Sequence, residues 1–173
     1  MKPPLIILTG FMGAGKTVYG RALAEALDWV FTDLDEVIAR EAGEPVADII
    51  QNQGEARFRE LESQVLRSLE WNEPTVLAAG GGAPLREVNR EWMRENGLVV
   101  YLKPGIDILC QRLEKETDQR PLLEDARKKH LRALVREMLK QREPDYLKGD
   151  WVIDPVHLPP AELARHVSAY YSR

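Results

Sequence analysis

At 173 residues the chain is long enough for one domain with its own core, and 44% hydrophobic with 30% charged residues excludes a disordered or membrane-embedded class. A net charge of −4 speaks against a nucleic-acid partner, because phosphate backbones select basic surfaces. A lone cysteine, Cys110, and the lack of any apolar stretch near the ~20 residues of a membrane span lead us to expect a cytoplasmic protein with no membrane contact.

The first element expected is a strand at 5–9, an unbroken Leu/Ile run of the kind buried on both faces. A glycine-rich segment follows directly, and a helical pattern over 16–27 follows that. Further strands are expected at 30–33, 75–79, 98–102 and 151–154, with helices at 56–69, 86–95, 106–113, 127–141 and 162–171. Strands alternating with helices imply parallel βαβ units, hence an α/β protein with a five-stranded parallel sheet flanked by helices. Residues 35–62 insert extra helix after the second strand. Residues 114–125 are dense in charge and read either as a mobile flap or as a solvated loop. No repeat, low-complexity segment or linker marks a boundary, so residues 1–173 are taken as one domain.

Gly10-Phe11-Met12-Gly13-Ala14-Gly15-Lys16-Thr17 matches G-x-x-x-x-G-K-[ST] between a strand and a helix. Glycines there let backbone N–H groups turn inward around phosphate oxygens, and the following helix adds its positive N-terminal end. Lys16 is expected on the β- and γ-phosphates and the Thr17 hydroxyl on Mg²⁺. Asp33 and Asp35 lie just past the second strand, where ligands of parallel sheets bind. Either could equally be a helix cap. The third strand ends without an acid, and Leu147-Lys148-Gly149-Asp150 carries leucine where a guanine-reading sequence needs an amide or hydroxyl. A GTPase is excluded on that count.

With Asp33-x-Asp35, Phe58-Arg59-x-x-Glu62, Gly80-Gly81-Gly82, Arg120-Pro121-Leu122-Leu123 and Arg142-x-Pro144-x-Tyr146 in order behind the P-loop, the chain resembles the shikimate kinases. The resemblance implies a P-loop kinase with a substrate-binding insertion at about 35–62 and a lid at about 114–125. It also implies ATP-dependent phosphorylation of the 3-hydroxyl of shikimate, with ATP as co-substrate, Mg²⁺, and a monomer. Its nucleotide set is Gly13, Ala14, Gly15, Lys16, Thr17, Val18 and Arg120. Its acceptor set is Asp35, Arg59, Gly80, Gly81, Gly82 and Arg142; Thr17 and Asp33 hold the metal, and Lys16, Asp35 and Arg120 do the chemistry. Outside the resemblance, Arg112, before the charged segment, is the residue expected to stack on the base.

The chemistry suits those residue types. Guanidinium forks match a carboxylate in two places at once, and a carboxylate can accept the proton of an attacking hydroxyl. Arg59 and Glu62 are also spaced as a surface helix ion pair. Two departures stand out: Ala79 replaces the family's usual Thr before the glycines, and residues 154–160 lack the arginine often placed against adenine. Rival readings are another small-metabolite kinase, such as gluconate kinase, and a nucleotide-binding relative without turnover. The second should have lost Asp35, Arg59 or Arg120, and all three are present.

Overall fold

In the computed structural model, β1 (Leu5–Thr9) is buried along its whole length and pairs in parallel with β3 (Thr75–Ala78) on one side and β4 (Leu98–Leu102) on the other. The structure describes residues 2–117 and 124–172, with side chains for 2–115 and 130–172. β2 (Val30–Asp33) joins outside β3, and β5 (Trp151–Ile153) outside β4, so the order is β2-β3-β1-β4-β5. All pairs are parallel, as the alternation of elements predicts.

Successive residues of β1 point to opposite faces. Ile6 and Leu8 enter a core with Tyr19 and Leu23 of α1 (Lys16–Leu27) and Leu163 and Val167 of α8 (Pro160–Tyr171). Leu5 and Ile7 enter a second core on the other face. Its partners are Leu34 and Ile38 of α2 (Leu34–Ala42), Ile49 of α3 (Val46–Gln53), Leu66 of α4 (Glu55–Ser68) and Met93 of α5 (Glu87–Asn96). The two outer strands are only half buried, unlike the three inner ones, because each packs a neighbour on one side alone.

The insertion at 35–62 resolves into α2, α3 and the first turns of α4, beginning one residue early at Leu34. Helices extend further into the charged segment 114–125 than its charge suggested. α6 (Ile106–Thr117) runs into it from one end and α7 (Glu124–Tyr146) from the other, since Glu and Lys are good helix formers. Residues 118–123, Arg120 among them, lie outside the described residues. α7 also passes through Pro144 to Tyr146, where the sequence pattern ends the helix at 141. Only Asp145 and Tyr146 follow that proline in the helix, so one lost N–H donor is tolerated. No helix among the described residues is long and apolar enough to cross a membrane.

Register sets the level of the site. Leu8 and Asp33 both pair with Ala78, so the segments leaving β1, β2 and β3 emerge side by side. From β1 the chain goes outward to β2, whereas from β3 it crosses to β4; the diverging connections open a crevice at the strands' carboxyl ends.

Leu8 is fully buried at the sheet centre, and Val152 is 46% exposed on an edge strand. Leu8→Ala should cost about 2–5 kcal/mol, and Val152→Ala less than about 1 kcal/mol, in urea unfolding.

Candidate active site

The P-loop leaves β1 with Gly10, Gly13 and Gly15 at φ of 146°, 78° and 90°. A side chain at Gly10 would also sit 2.7 Å from the Leu102 carbonyl. Gly15 caps α1 in a left-handed conformation, with no side chain accepting from the helix's first N–H groups. Those donors are left for an anion. Lys16 donates to the carbonyls of Gly10 at 2.8 Å and Phe11 at 3.1 Å. Burial lowers its pKa to about 8, against the opposing pull of Asp35 and Asp33.

Asp33 serves two neighbours at once. Its Oδ1 accepts from the Asp35 N–H at 3.0 Å, capping α2, and its Oδ2 accepts from the Thr17 hydroxyl at 2.7 Å. A helix cap and a place on the cleft wall therefore coexist in one side chain. Two hard oxygen donors side by side below the P-loop fit Mg²⁺, which takes one or two protein oxygens and fills its shell with water and phosphate. No group of three or more His, Cys, Asp or Glu that could hold another metal occurs among the described residues.

Asp35 opens on the cleft, yet its walls stand close enough that desolvation raises its pKa. The Asp33 charge adds to this, and Lys16 and Arg59 oppose it. A carboxyl held above its ordinary range is better matched to taking a proton near neutral pH.

The glycine triplet owes its composition to side chains as much as to any ligand. A Cβ at Gly80 would lie 2.5 Å from Glu62 Oε1 and 3.2 Å from Asp35 Oδ1. One at Gly82 would lie 2.3 Å from the Arg59 guanidinium, and one at Gly81 3.3 Å from the Gly10 carbonyl. Arg59 donates to Glu62 Oε2 at 2.9 Å and Glu55 Oε1 at 3.3 Å. Glu62 is fully buried, and its Oε1 has no hydrogen-bond partner among the described residues. Burial raises the Glu62 pKa, opposed by the Arg59 charge and hydrogen bond. This i,i+3 pair is thus a buried prop for a guanidinium, where helical spacing alone suggested a surface contact.

A cleft of about 850 Å³ is lined by Gly13, Ala14, Gly15, Lys16, Thr17 and Val18, with Asp33, Asp35, Gly80, Gly81 and Arg112. Arg112 donates to the Gly13 carbonyl at 2.9 Å, tying α6 to the P-loop. Gly82 and Arg59 stand beside this wall, and Arg142 lies with its guanidinium 5.7 Å from the centre of the Phe11 ring. Sequence reasoning missed Lys115, Pro155 and Pro160, which also line the cleft. Their signal was position alone, since both prolines follow the last strand's carboxyl end. It also missed Arg86, which donates to the Arg59 carbonyl at 3.0 Å and the Ser63 hydroxyl at 3.2 Å.

A sequence profile described as "Shikimate kinase" matches residues 12–171. A shikimate kinase of Thermodesulfovibrio yellowstonii is 35% identical over 168 residues, 97% of this chain and 95% of that one. The crystal structure of a shikimate kinase from Bacteroides thetaiotaomicron superposes with a TM-score of 0.82 at 32% identity, covering 98% of this chain and 99% of the other. An Acinetobacter baumannii shikimate kinase in complex with shikimate gives 0.79 at 35% identity, covering 98% and 93%.

Arg59→Ala would strand a buried carboxylate, so we expect a loss of about 3–5 kcal/mol in urea unfolding at pH 7. With the folded pKa of Glu62 raised above its unfolded value, protonation favours the folded state. The deficit should therefore shrink as pH falls toward the ordinary carboxylate range, and persist at higher pH.

Proposed function

The chain belongs to the shikimate kinase family, and we propose that it transfers the γ-phosphoryl group of ATP to the 3-hydroxyl of shikimate, on the chorismate route to aromatic amino acids. The observation that carries this reading is the meeting, in one cleft, of a P-loop with Asp35 and a glycine loop onto which the Arg59 guanidinium is packed. A phosphate cradle alone serves many reactions. A cradle facing a desolvated carboxylate and a propped guanidinium serves an anionic alcohol.

In this reading the triphosphate lies along the N–H groups of the P-loop and the start of α1. Lys16 turns from its own loop carbonyls to the β- and γ-phosphates, and Arg112 with Pro155 flanks the base. Thr17 and Asp33 hold Mg²⁺, which when bound offsets phosphate charge. Arg59 and Arg142 take the shikimate carboxylate in their forks. Asp35 accepts hydrogen bonds from the ring hydroxyls and takes the proton of the one that attacks. As the new O–P bond forms, the bond from γ-phosphorus to the bridging oxygen breaks and ADP leaves. Lys16 spreads the charge of that transition state, the main contribution a protein makes to phosphoryl transfer. Arg120 shares this role in the proposal on the strength of its motif alone, as lid residue. The enzyme works as a cytoplasmic monomer of one domain.

A coupled ADP-release assay comparing shikimate with gluconate, quinate and nucleoside monophosphates tests the reading. Turnover with shikimate alone supports it, and preference for gluconate overturns it. Asp35→Asn should lower kcat by about 10²–10⁴-fold while nucleotide affinity stays nearly unchanged. Because the Asp35 pKa is raised, the acid limb of kcat/KM should lie above that of an ordinary aspartate. Lys16 must be protonated to meet phosphate and titrates at about 8 in the free protein. Calorimetry with a non-hydrolysable ATP analogue should therefore show constant affinity below that pH. Above it, affinity should decline by up to about tenfold per pH unit.

A further inference from the structure

Tyr19 of α1 is buried, yet its hydroxyl finds a distant partner: it donates at 2.9 Å to the carbonyl of Leu158, 139 residues further along the chain. Burial, and behind it the charge of Glu162, push the phenol up to about 12, so near neutral pH it stays protonated and keeps donating. The ring belongs to the core it shares with Leu23, Leu163 and Val167, and Leu158 packs against that same core. Tyr19 also stands on the cleft wall, one turn into the helix that Lys16 and Thr17 begin.

Residues 154–159 connect β5 to α8, and they are bonded mainly to themselves. Asp154 Oδ1 accepts from the Val156 N–H at 2.9 Å, and the Asp154 carbonyl accepts from the N–H groups of His157 at 3.2 Å and Leu158 at 2.9 Å. His157 Nδ1 lies 2.8 Å from Asp154 Oδ2. Pro155, Pro159 and Pro160 carry no N–H, so every backbone donor from 155 to 160 is spent inside the turn or missing. Such a turn is placed as one piece by whatever it is tied to. Pro155 and Pro160 line the cleft beside Tyr19. Among the described residues, the bond from Tyr19 is the one hydrogen bond that joins residues 155–158 to another element.

We propose that Tyr19 is a positioning residue for the nucleotide: by holding the Leu158 carbonyl it fixes the proline-bearing wall, against which the base lies, relative to the P-loop that takes the phosphates. The cradle is placed by β1 and α1, and the wall by β5 and α8. One phenol joins these two supports of a ligand that must touch both. A wall already in place needs no ordering when the nucleotide arrives. Tyr19 meets no reacting atom. The inference rests on the kinase reading, because ATP brings base and phosphates together, and it predicts an effect confined to ligands that carry the base.

The test is calorimetry of the wild type and Tyr19→Phe with a non-hydrolysable ATP analogue and with inorganic tripolyphosphate, each with magnesium. Steady-state kinetics with ATP and shikimate follow. A wild type that does not bind the ATP analogue overturns the kinase reading and this proposal with it. Calorimetry needs no acceptor, so failure of the shikimate assignment alone leaves the variant to decide. Tyr19→Phe keeps the ring in the core and should weaken the ATP analogue about fivefold, the scale of one neutral hydrogen bond, with tripolyphosphate unaffected. In turnover the KM for ATP should rise by the same factor, while kcat and the KM for shikimate stay near wild-type values. Unchanged affinity for the ATP analogue, an equal loss for tripolyphosphate, or a loss carried by kcat would overturn the proposal. If Tyr19→Phe fails to fold, 4-aminophenylalanine in place of Tyr19 keeps a weaker donor on the same carbonyl. It should weaken the ATP analogue by a smaller factor; no loss there, or a matching one for tripolyphosphate, also overturns the proposal.

Discussion

The closest approach of two loops governs this site: a Cβ added at Gly81 would lie 3.3 Å from the Gly10 carbonyl and 3.5 Å from the Met12 nitrogen. β1 and β3 are neighbours in the sheet, so the segments leaving them must pass within contact distance. Backbone without side chains at Gly81 makes that contact possible. The phosphate cradle and the glycine loop become one continuous wall, and everything hung on either loop inherits a fixed position relative to the other. Asp35 and Glu62 fill the space above Gly80, and Arg59 fills the space above Gly82. A larger residue in the triplet would disturb the charged groups before it met any ligand.

Those charged groups are arranged against their own solvation. Lys16 is driven down to about 8 by burial, and Asp35 and Glu62 are driven up by the same cause. Lys16 and Asp35 face the cleft, where such opposed shifts suit a partner of complementary charge, whereas Glu62 is fully buried beside Gly80. Each arrangement carries an energetic cost that folding must offset elsewhere, and the two cores on either face of β1 are where it is offset. The most buried of these acids, Glu62, depends on Arg59 for its one side-chain hydrogen bond among the described residues. Stability and guanidinium placement are therefore coupled through a single ion pair.

Several residues answer to two demands together. Asp33 caps α2 and holds Thr17, so the local requirement for a helix start and the requirement for an oxygen pair are met by one carboxylate. The cap that the sequence offered at Asp33 is present, and the same carboxylate lines the cleft. Lys16 likewise bonds its own loop's carbonyls, which keeps a buried ammonium partnered in the absence of phosphate.

The chain by itself determined its strands, nearly to the residue, and the P-loop between β1 and α1. Unbroken Val/Ile/Leu runs and a glycine-lysine-threonine signature are local properties, written in consecutive residues. That Asp33, Asp35, Gly80 and Gly81 would line the cleft was also legible, because in a parallel sheet the segment leaving a strand is already at its carboxyl edge. Tertiary structure alone decided that β3 would insert beside β1, that Glu62 would be buried rather than solvated, and that Arg86 would hold the Arg59 backbone. It alone set Tyr146 against Gly81, 65 residues away in the chain. The physical reason is separation: periodicity reports which face of an element is apolar, but not which distant polar atom will complete a hydrogen bond there. That is fixed only when strand order and register bring the two segments to the same level.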